Sequence, residues 1–203
     1  IGYADFSQVG DLGTAAIKAS LDFESTFTSV RKTVDATEAE FDALAEASKT
    51  MSTQIATSTG EINEVMATAG QLGIRNDYLV DFARTMIDLG NSTDIVANEA
   101  ASTLAKFANI TNMDQSRFGN LGATLVDLGN NFATTESSIM EMSLRLAAAG
   151  HQVGLTEPQI LGFAAALSSV GIEAEMGGSA FSKALVKMEV AAATGGEALE
   201  DFA

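Results

Sequence analysis

The heptapeptide Thr85-Met-Ile-Asp-Leu-Gly-Asn91 recurs later in the chain, with five identities, as Thr124-Leu-Val-Asp-Leu-Gly-Asn130. Each copy closes a run of apolar residues at helical spacing with Gly-Asn, and these two residues best tolerate the left-handed conformation that ends a helix. The distance between the copies is typical of helical-pair repeats. The recurrence predicts helical hairpins that stack because one hairpin cannot bury its apolar face alone. The alternative is that helices of similar length stack with no functional meaning, which would produce the same recurrence in the sequence.

Glycine and asparagine continue a regular spacing along most of the chain. They recur at nearly equal intervals at Gly70, Gly90, Asn109, Gly129, Gly150 and Gly171. If each closes a helix, every interval holds one helix and a short turn. No segment alternates polar and β-branched residues as a strand would. The pattern predicts an all-α fold of about nine helices of 14–18 residues, stacked as antiparallel helical hairpins, with no sheet.

Apolar periodicity and helix-start signals agree with this prediction. Phe23, Phe27, Val30 and Val34 step by four, three and four residues, which places them on one helical face. Three pairs match the capping box, in which a hydroxyl and the residue three positions on satisfy each other's backbone N–H groups. They are Thr37 with Glu40, Ser58 with Glu61, and Thr156 with Gln159.

Three regions follow from where the periodic pattern begins and stops. We expect residues 1–20 to be a poorly ordered lead-in or a truncated helix. Residues 21–193 should form the helical core domain. Residues 194–203, which include the glycine pair Gly195-Gly196, look like a linker to further downstream sequence.

Composition and charge exclude several classes of function. The chain of 203 residues has a net charge of −16, and Arg145 is the only basic side chain between residues 118 and 182. A nucleic-acid surface needs a stripe of Lys and Arg, so we expect no nucleic acid to bind this domain. The longest apolar run, 160–172, is too short for a membrane span of roughly 20 residues. Without cysteine, neither a disulfide nor a thiolate site can form.

Candidate chemical groups all have simpler explanations. His151, the only histidine, follows Gly150 and fits a solvated side chain at a helix end better than a catalytic base. Ser179 lacks the second glycine of a nucleophile elbow and is interpreted as lying near a helix start. The carboxylates Asp35, Glu38, Glu40, Asp42 and Glu46 suit a helix N-terminus better than a glycosidase pair. We therefore predict no catalytic, cofactor-binding or metal-binding residues, no cofactor, and no enzyme activity.

Over residues 21–192 the chain resembles the conserved core region of phage tail tape measure proteins. The resemblance runs through Phe23-Glu24, Val30, Phe41-x-x-Leu44 and Ser58-x-x-Glu61-Ile-x-x-x-Met66-x-x-Ala69-Gly70. It continues in Ala164-Ala165-Ala166-Leu167, Gly171-Ile172 and Gly177-x-x-Ala180-Phe181. Each element alone is only a helix end, but their order and spacing are specific.

The resemblance implies a structural protein of a phage, prophage or phage-like particle, made in the bacterial cytoplasm and placed in the lumen of the virion tail. Such proteins take part in tail assembly and length determination, and leave ahead of the DNA. The implied partners are tail tube and tail assembly chaperone proteins and baseplate or tip proteins, with self-association in the full-length protein. No membrane contact is expected through this domain. The alternative is a cellular helical-repeat adaptor that binds a protein partner.

Overall fold

The computed structural model describes residues 7–194, with side-chain environments from Lys18 onward. Within this range the chain forms nine α-helices and a 3₁₀ turn over Gln115–Arg117, and no strand. The helices are α1 (Ser7–Thr33), α2 (Glu38–Gln54), α3 (Thr59–Gln71), α4 (Asn76–Ser92), α5 (Ala97–Thr111), α6 (Phe118–Asn131), α7 (Glu136–Gln152), α8 (Glu157–Ser169) and α9 (Ala174–Thr194). The predicted all-α class is confirmed. Helices α2 to α8 have 13 to 17 residues, whereas α1 and α9 have 27 and 21.

The helices pack in two rows. The odd row consists of α1, α3, α5, α7 and α9, and each helix packs against the next one in that row. The even row consists of α2, α4, α6 and α8, which pack in the same serial way. Because the connecting loops are short, successive helices run in opposite directions and those of one row run in parallel. The molecule is a two-layered helical stack in which one hairpin advances the chain by one repeat.

The chain's regularly spaced glycines do not end the helices in the way the spacing suggested. Gly70, Gly90, Gly129 and Gly150 lie inside the last turn of their helices, and only Gly171 (φ +79°) adopts the left-handed conformation. The other left-handed positions are Gly73 (φ +84°), Asn112 (φ 52°) and Gly154 (φ +79°). These three follow α3, α5 and α7 at one edge of the stack, where the odd row turns into the even row.

The glycines within the last turns mark close approaches between helices. A Cβ atom built on Gly70 would lie 2.5 Å from Cγ2 of Val34. One on Gly90 would lie 3.0 Å from the backbone nitrogen of Ala97 at the start of α5. The Cβ of any other residue would therefore press into the neighbouring element, and the spacing records helix packing rather than helix termination.

The core is mainly apolar, and it contains a small polar group between the first three helices. Ser48 of α2 and Asn63 of α3 are fully buried. The Ser48 hydroxyl donates to Oδ1 of Asn63 at 2.7 Å, and the Asn63 amide donates to Oγ1 of Thr26 at 3.0 Å. The periodicity places Ser48 on the apolar face of α2, and this network explains how a hydroxyl is accommodated there.

The predicted helix starts are borne out to different degrees. The Thr37 and Glu40 capping box forms with both bonds. At the second pair Ser58 Oγ accepts from the Glu61 N–H at 3.2 Å. In the first turn of α8, Gln159 Oε1 accepts from the Thr156 N–H at 2.9 Å. The division into residues 1–20, 21–193 and 194–203 stays a prediction: α1 begins at Ser7, and 195–203 lie outside the described residues.

Hydrogen bonds also join loops that are one repeat apart. On the odd-to-even edge, the Asn76 side chain donates to the carbonyl of Asp35 at 2.8 Å, and Gln115 bonds to both Gly73 and Arg75. On the opposite edge, Asp94 accepts from the backbone N–H of Ser137 at 3.1 Å and from its hydroxyl at 2.6 Å. These bonds fix the register of neighbouring hairpins.

Asp94 caps a helix of the next repeat. Ser137 lies in the first turn of α7, where free N–H groups and the helix dipole favour a negative charge. Partial burial acts to raise the pKa of Asp94, but the hydrogen bonds from Ser137, together with those from Thr135 and from the backbone of Asp94 itself, hold the pKa below its ordinary value. The carboxylate form is therefore the one that stabilises this junction.

We expect Asp94→Ala to lower the free energy of unfolding by about 1 kcal/mol at neutral pH, the usual cost of losing a helix cap. Because the folded-state pKa is depressed, this contribution is present above the unfolded pKa and is lost as the pH falls through the folded value. Urea titrations of both proteins at a series of pH values will measure it. A difference that stays constant down to the acid limit would contradict an ionised cap.

Candidate interaction surface

A groove of about 1140 Å³ lies between α7 and α9, the last two helices of the odd row. The two helices run in parallel, and the Ser182 hydroxyl donates to the carbonyl of Arg145 across the junction at 3.3 Å. The lining is mainly small and apolar, with polar and basic side chains among it: Arg145, Ala148, Ala149, Gln152, Ala180, Ser182, Lys183, Ala184, Val186, Lys187, Val190 and Ala191.

The groove collects all the Lys and Arg side chains that follow Arg117 in this acidic chain. From residue 118 to the end, the sequence contains only three Lys or Arg residues, Arg145, Lys183 and Lys187, and all three line the groove. Arg145 is half exposed, and its nearest carboxylate, that of Glu175, is 3.5 Å away. Such a surface can bind a carboxylate together with an apolar group, because long basic side chains combine an apolar stem with a charged head.

The residues considered for catalysis do not form a site. His151 is exposed in the last turn of α7. Ser179 is exposed in α9, which begins five residues earlier at Ala174, so its assignment near a helix start was wrong. The glycines before it lie within the helix and allow it to approach Ile172 and Arg145.

The acidic cluster at the start of α2 is occupied by structural contacts. Both oxygens of Glu38 accept from the Arg31 guanidinium at 3.0 Å. Glu40 belongs to the Thr37 cap, whose backbone and hydroxyl hydrogen bonds lower its pKa. Dipole and capping contacts thus account for these two side chains.

Residues 7–194 hold neither a metal-binding cluster nor a membrane-spanning helix. No three acidic or histidine side chains there come together closely enough to hold a metal ion. No helix in that range is at once long and apolar enough to cross a membrane.

The groove was missed at the level of sequence, although one signal pointed to it. Arg145 is isolated in an otherwise base-free stretch, and Lys183 and Lys187 stand four residues apart on one face of a helix. Their convergence depends on α7 and α9 being neighbours in one row, which residue spacing alone does not reveal.

Comparison with known proteins places the chain among phage tail proteins. Residues 45–203 match the family described as phage-related minor tail protein. The chain is also 25% identical over 199 residues to a probable tape measure protein of Halomonas phage phiHAP-1, an alignment that covers 92% of this chain and 23% of that protein. The chain thus spans about a quarter of the length of its relative. No solved structure is significantly similar to it. The resemblance to tape measure proteins is confirmed, and the chain belongs to the family of phage-related minor tail proteins.

Proposed function

We propose that the chain is a compact, non-enzymatic module of a tape measure protein, located in the lumen of the phage tail. In this role it takes part in tail assembly and length determination, and it leaves the particle ahead of the DNA. Its partners are the tail tube, the tail assembly chaperones and the baseplate or tip, with self-association in the full-length protein. The observation that carries the compact role is the folding of the chain into two short rows.

Because it folds into two short rows, this segment is poorly suited to setting tail length by its own extension. A single helix of residues 7–194 would extend about 280 Å at 1.5 Å per residue. The odd row contains five helices, and at about 8–10 Å between neighbouring axes its four steps extend only about 40 Å. A seven-residue apolar repeat sustained along one long helix would suit measurement better. We therefore assign the measuring to other parts of the tape measure protein.

The charge of the chain fits movement through a channel before DNA. With a net charge of −16, its surface repels phosphate rather than retaining it. The Lys and Arg side chains that follow Arg117 all line the groove between α7 and α9. A partner that presents carboxylates beside an apolar face would meet its complement there.

In-frame deletion of residues 21–192 from the gene tests this role. If the segment measured length as a helix, tails would shorten by about 260 Å. We expect instead that tails fail to assemble or keep a length unrelated to that value, as measured by electron microscopy. A duplication of residues 97–135, one complete hairpin, is the matched control and should not lengthen tails by the roughly 60 Å of an added helix. Shifts of about 260 Å and about 60 Å would overturn the compact role, and absence of the protein from purified virions would overturn the tail function.

A further inference from the structure

We propose that the groove between α7 and α9 receives helix α2 of a second copy of the chain. The inference rests on the self-association included in the proposed function, and it names the two surfaces that meet. We call the exposed side of α2 the acidic stripe and define it by Ala39, Asp42, Ala43, Glu46 and Thr50.

The groove has the shape and length of a site for a helix. Five of its lining residues are alanines, three on α9 and two on α7, so the backbone of another helix can approach closely. Along α9 the lining extends from Ala180 to Ala191, which is about 16 Å at 1.5 Å per residue. That length accommodates about three turns of a helix, the usual extent of helix-in-groove recognition.

The groove is positive in a chain that is otherwise strongly acidic. None of its lining residues, all within the described range, is acidic, although the chain has 27 Asp and Glu residues. Lys183 and Lys187 are exposed one turn apart on α9, and Arg145 faces them from α7. Arg145 already lies within 3.5 Å of Glu175, so we assign the main electrostatic contact to the two lysines. Their complement is a helix with small side chains and two carboxylates one turn apart.

The acidic stripe of α2 has this pattern. Its five residues are all exposed and follow one another at steps of three, one, three and four residues, which places them on one face of the helix. From Ala39 to Thr50 the stripe is about 16 Å long, the same length as the groove. Asp42 and Glu46 are one turn apart, as the two lysines of α9 are, so both pairs of opposite charges can meet in one register.

The stripe is accessible because α2 is the first helix of the even row. It packs against α3 and α4, and within residues 7–194 no even helix precedes it. Lys49 is the only base on α2, and it lies away from the stripe, with its ammonium 4.9 Å from the centre of the Phe23 ring of α1. The same ammonium is 3.0 Å from the Glu46 carboxylate, so Asp42 is the stronger of the two acceptors for a lysine of another copy.

The two surfaces lie at opposite ends of the stack, so the contact joins different molecules. Helix α2 belongs to the first hairpins, whereas α7 and α9 are the last pair of the odd row. A contact between two different surfaces is heterologous and joins copies head to tail. A symmetric dimer through two grooves would instead bring lysine against lysine.

Cross-linking between differently marked copies tests this contact. The chain has no cysteine, so Ala43→Cys in one copy and Ala184→Cys in another place a thiol on each surface of the protein as its gene encodes it. The two variants are mixed and treated with a short bifunctional maleimide, and linked peptides containing residues 43 and 184 are quantified by mass spectrometry. Only contact between copies yields this link. Ala123→Cys, at an exposed alanine of α6, replaces Ala43→Cys as the matched control and should give little of it.

Charge reversal supplies the decisive comparison. Lys183→Glu with Lys187→Glu should reduce the 43–184 link at least about tenfold, because like charges would then face each other across the contact. Asp42→Lys with Glu46→Lys in the other copy should restore the link. Labelling of each thiol with a monofunctional maleimide corrects for altered thiol reactivity, and unchanged thermal unfolding shows that the fold is intact.

Four outcomes would overturn the proposal. If the 43–184 link is absent from the parent pair, the groove serves a different acidic partner. A link that survives the first reversal, or that the second reversal does not restore, would show that the charges do not guide the contact. An equally abundant link between two copies of residue 184 would show that two grooves face each other. None of these outcomes bears on tail length or virion content, which test the proposed function.

Discussion

Replacing Phe107 with alanine should lower the free energy of unfolding by about 3–5 kcal/mol, the usual cost of removing a large aromatic side chain from a core. Phe107 has no exposed surface and lies in α5, the central helix of the odd row. Helix α5 packs against α3 on one side and α7 on the other, so no nearby surface can move in easily to fill the cavity. Denaturant titration followed by circular dichroism measures the change.

Ile110→Ala is the matched control for this substitution. Ile110 lies on the same helix, three residues away, but is 40% exposed. Its replacement removes apolar surface that is already partly in water and gives a residue with better helix propensity, so we expect a loss below about 1 kcal/mol. If the two variants were equally destabilised, α5 would not be the buried centre of the stack.

The fold class was predictable because helical periodicity is a local property. Phe23, Phe27 and Val30 form a buried face of α1, as their spacing required, and Val34, which directly follows the helix, is also buried. The arrangement in two rows was harder to predict from the sequence, because every helix of a stack shows a similar apolar face. The loops, such as 72–75, and the hydrogen bonds between loops, including that from Asn76 to Asp35, decide which neighbouring helix each apolar face packs against.

The glycine pattern was interpreted correctly as periodic, but its glycines do not terminate helices through a left-handed conformation, except at Gly171. Glycine has two separate uses, a left-handed backbone and the absence of a Cβ atom, and a sequence does not distinguish between them. Gly73 and Gly154 serve the first use, and no atom lies within 4 Å of a Cβ built on either. Gly70 and Gly150 serve the second. The closest approaches recur with the period of the helices because each of these helices meets a neighbouring element near its end.

The groove between α7 and α9 shows why a binding surface is harder to predict from the sequence than the fold class. Arg145 was singled out as an isolated base, yet Lys183 and Lys187 lie a whole hairpin further along the chain. Only the parallel packing of α7 and α9 brings the three together. Residues one hairpin apart become neighbours only when the hairpins stack in rows, and that arrangement is a property of the fold rather than of the spacing.

Gly70→Ala is the decisive test of the close-approach interpretation, and we expect it to destabilise the protein by about 1–3 kcal/mol, as overpacking does. The new methyl group would lie 2.5 Å from Cγ2 of Val34 and 3.0 Å from the carbonyl oxygen of Thr33 at the end of α1. The Thr33 oxygen belongs to the backbone, which cannot rotate away as a side chain can. This strain should exceed the gain of about 1 kcal/mol that alanine brings to a helix interior.

Gly162→Ala provides the comparison, because Gly162 lies within α8 and no atom is within 4 Å of a Cβ built there. That variant should be more stable than the parent by about 0.5–1 kcal/mol. A double-mutant cycle with Val34→Ala then separates packing from capping. If the methyl group of Gly70→Ala meets Val34, the substitution should cost less once Val34 is shortened, and the two changes should not add. If Gly70 mattered only as a helix terminator, its replacement would lower the free energy of unfolding equally in both backgrounds. The backbone conformation at the end of α3 would then not depend on the side chain at position 34.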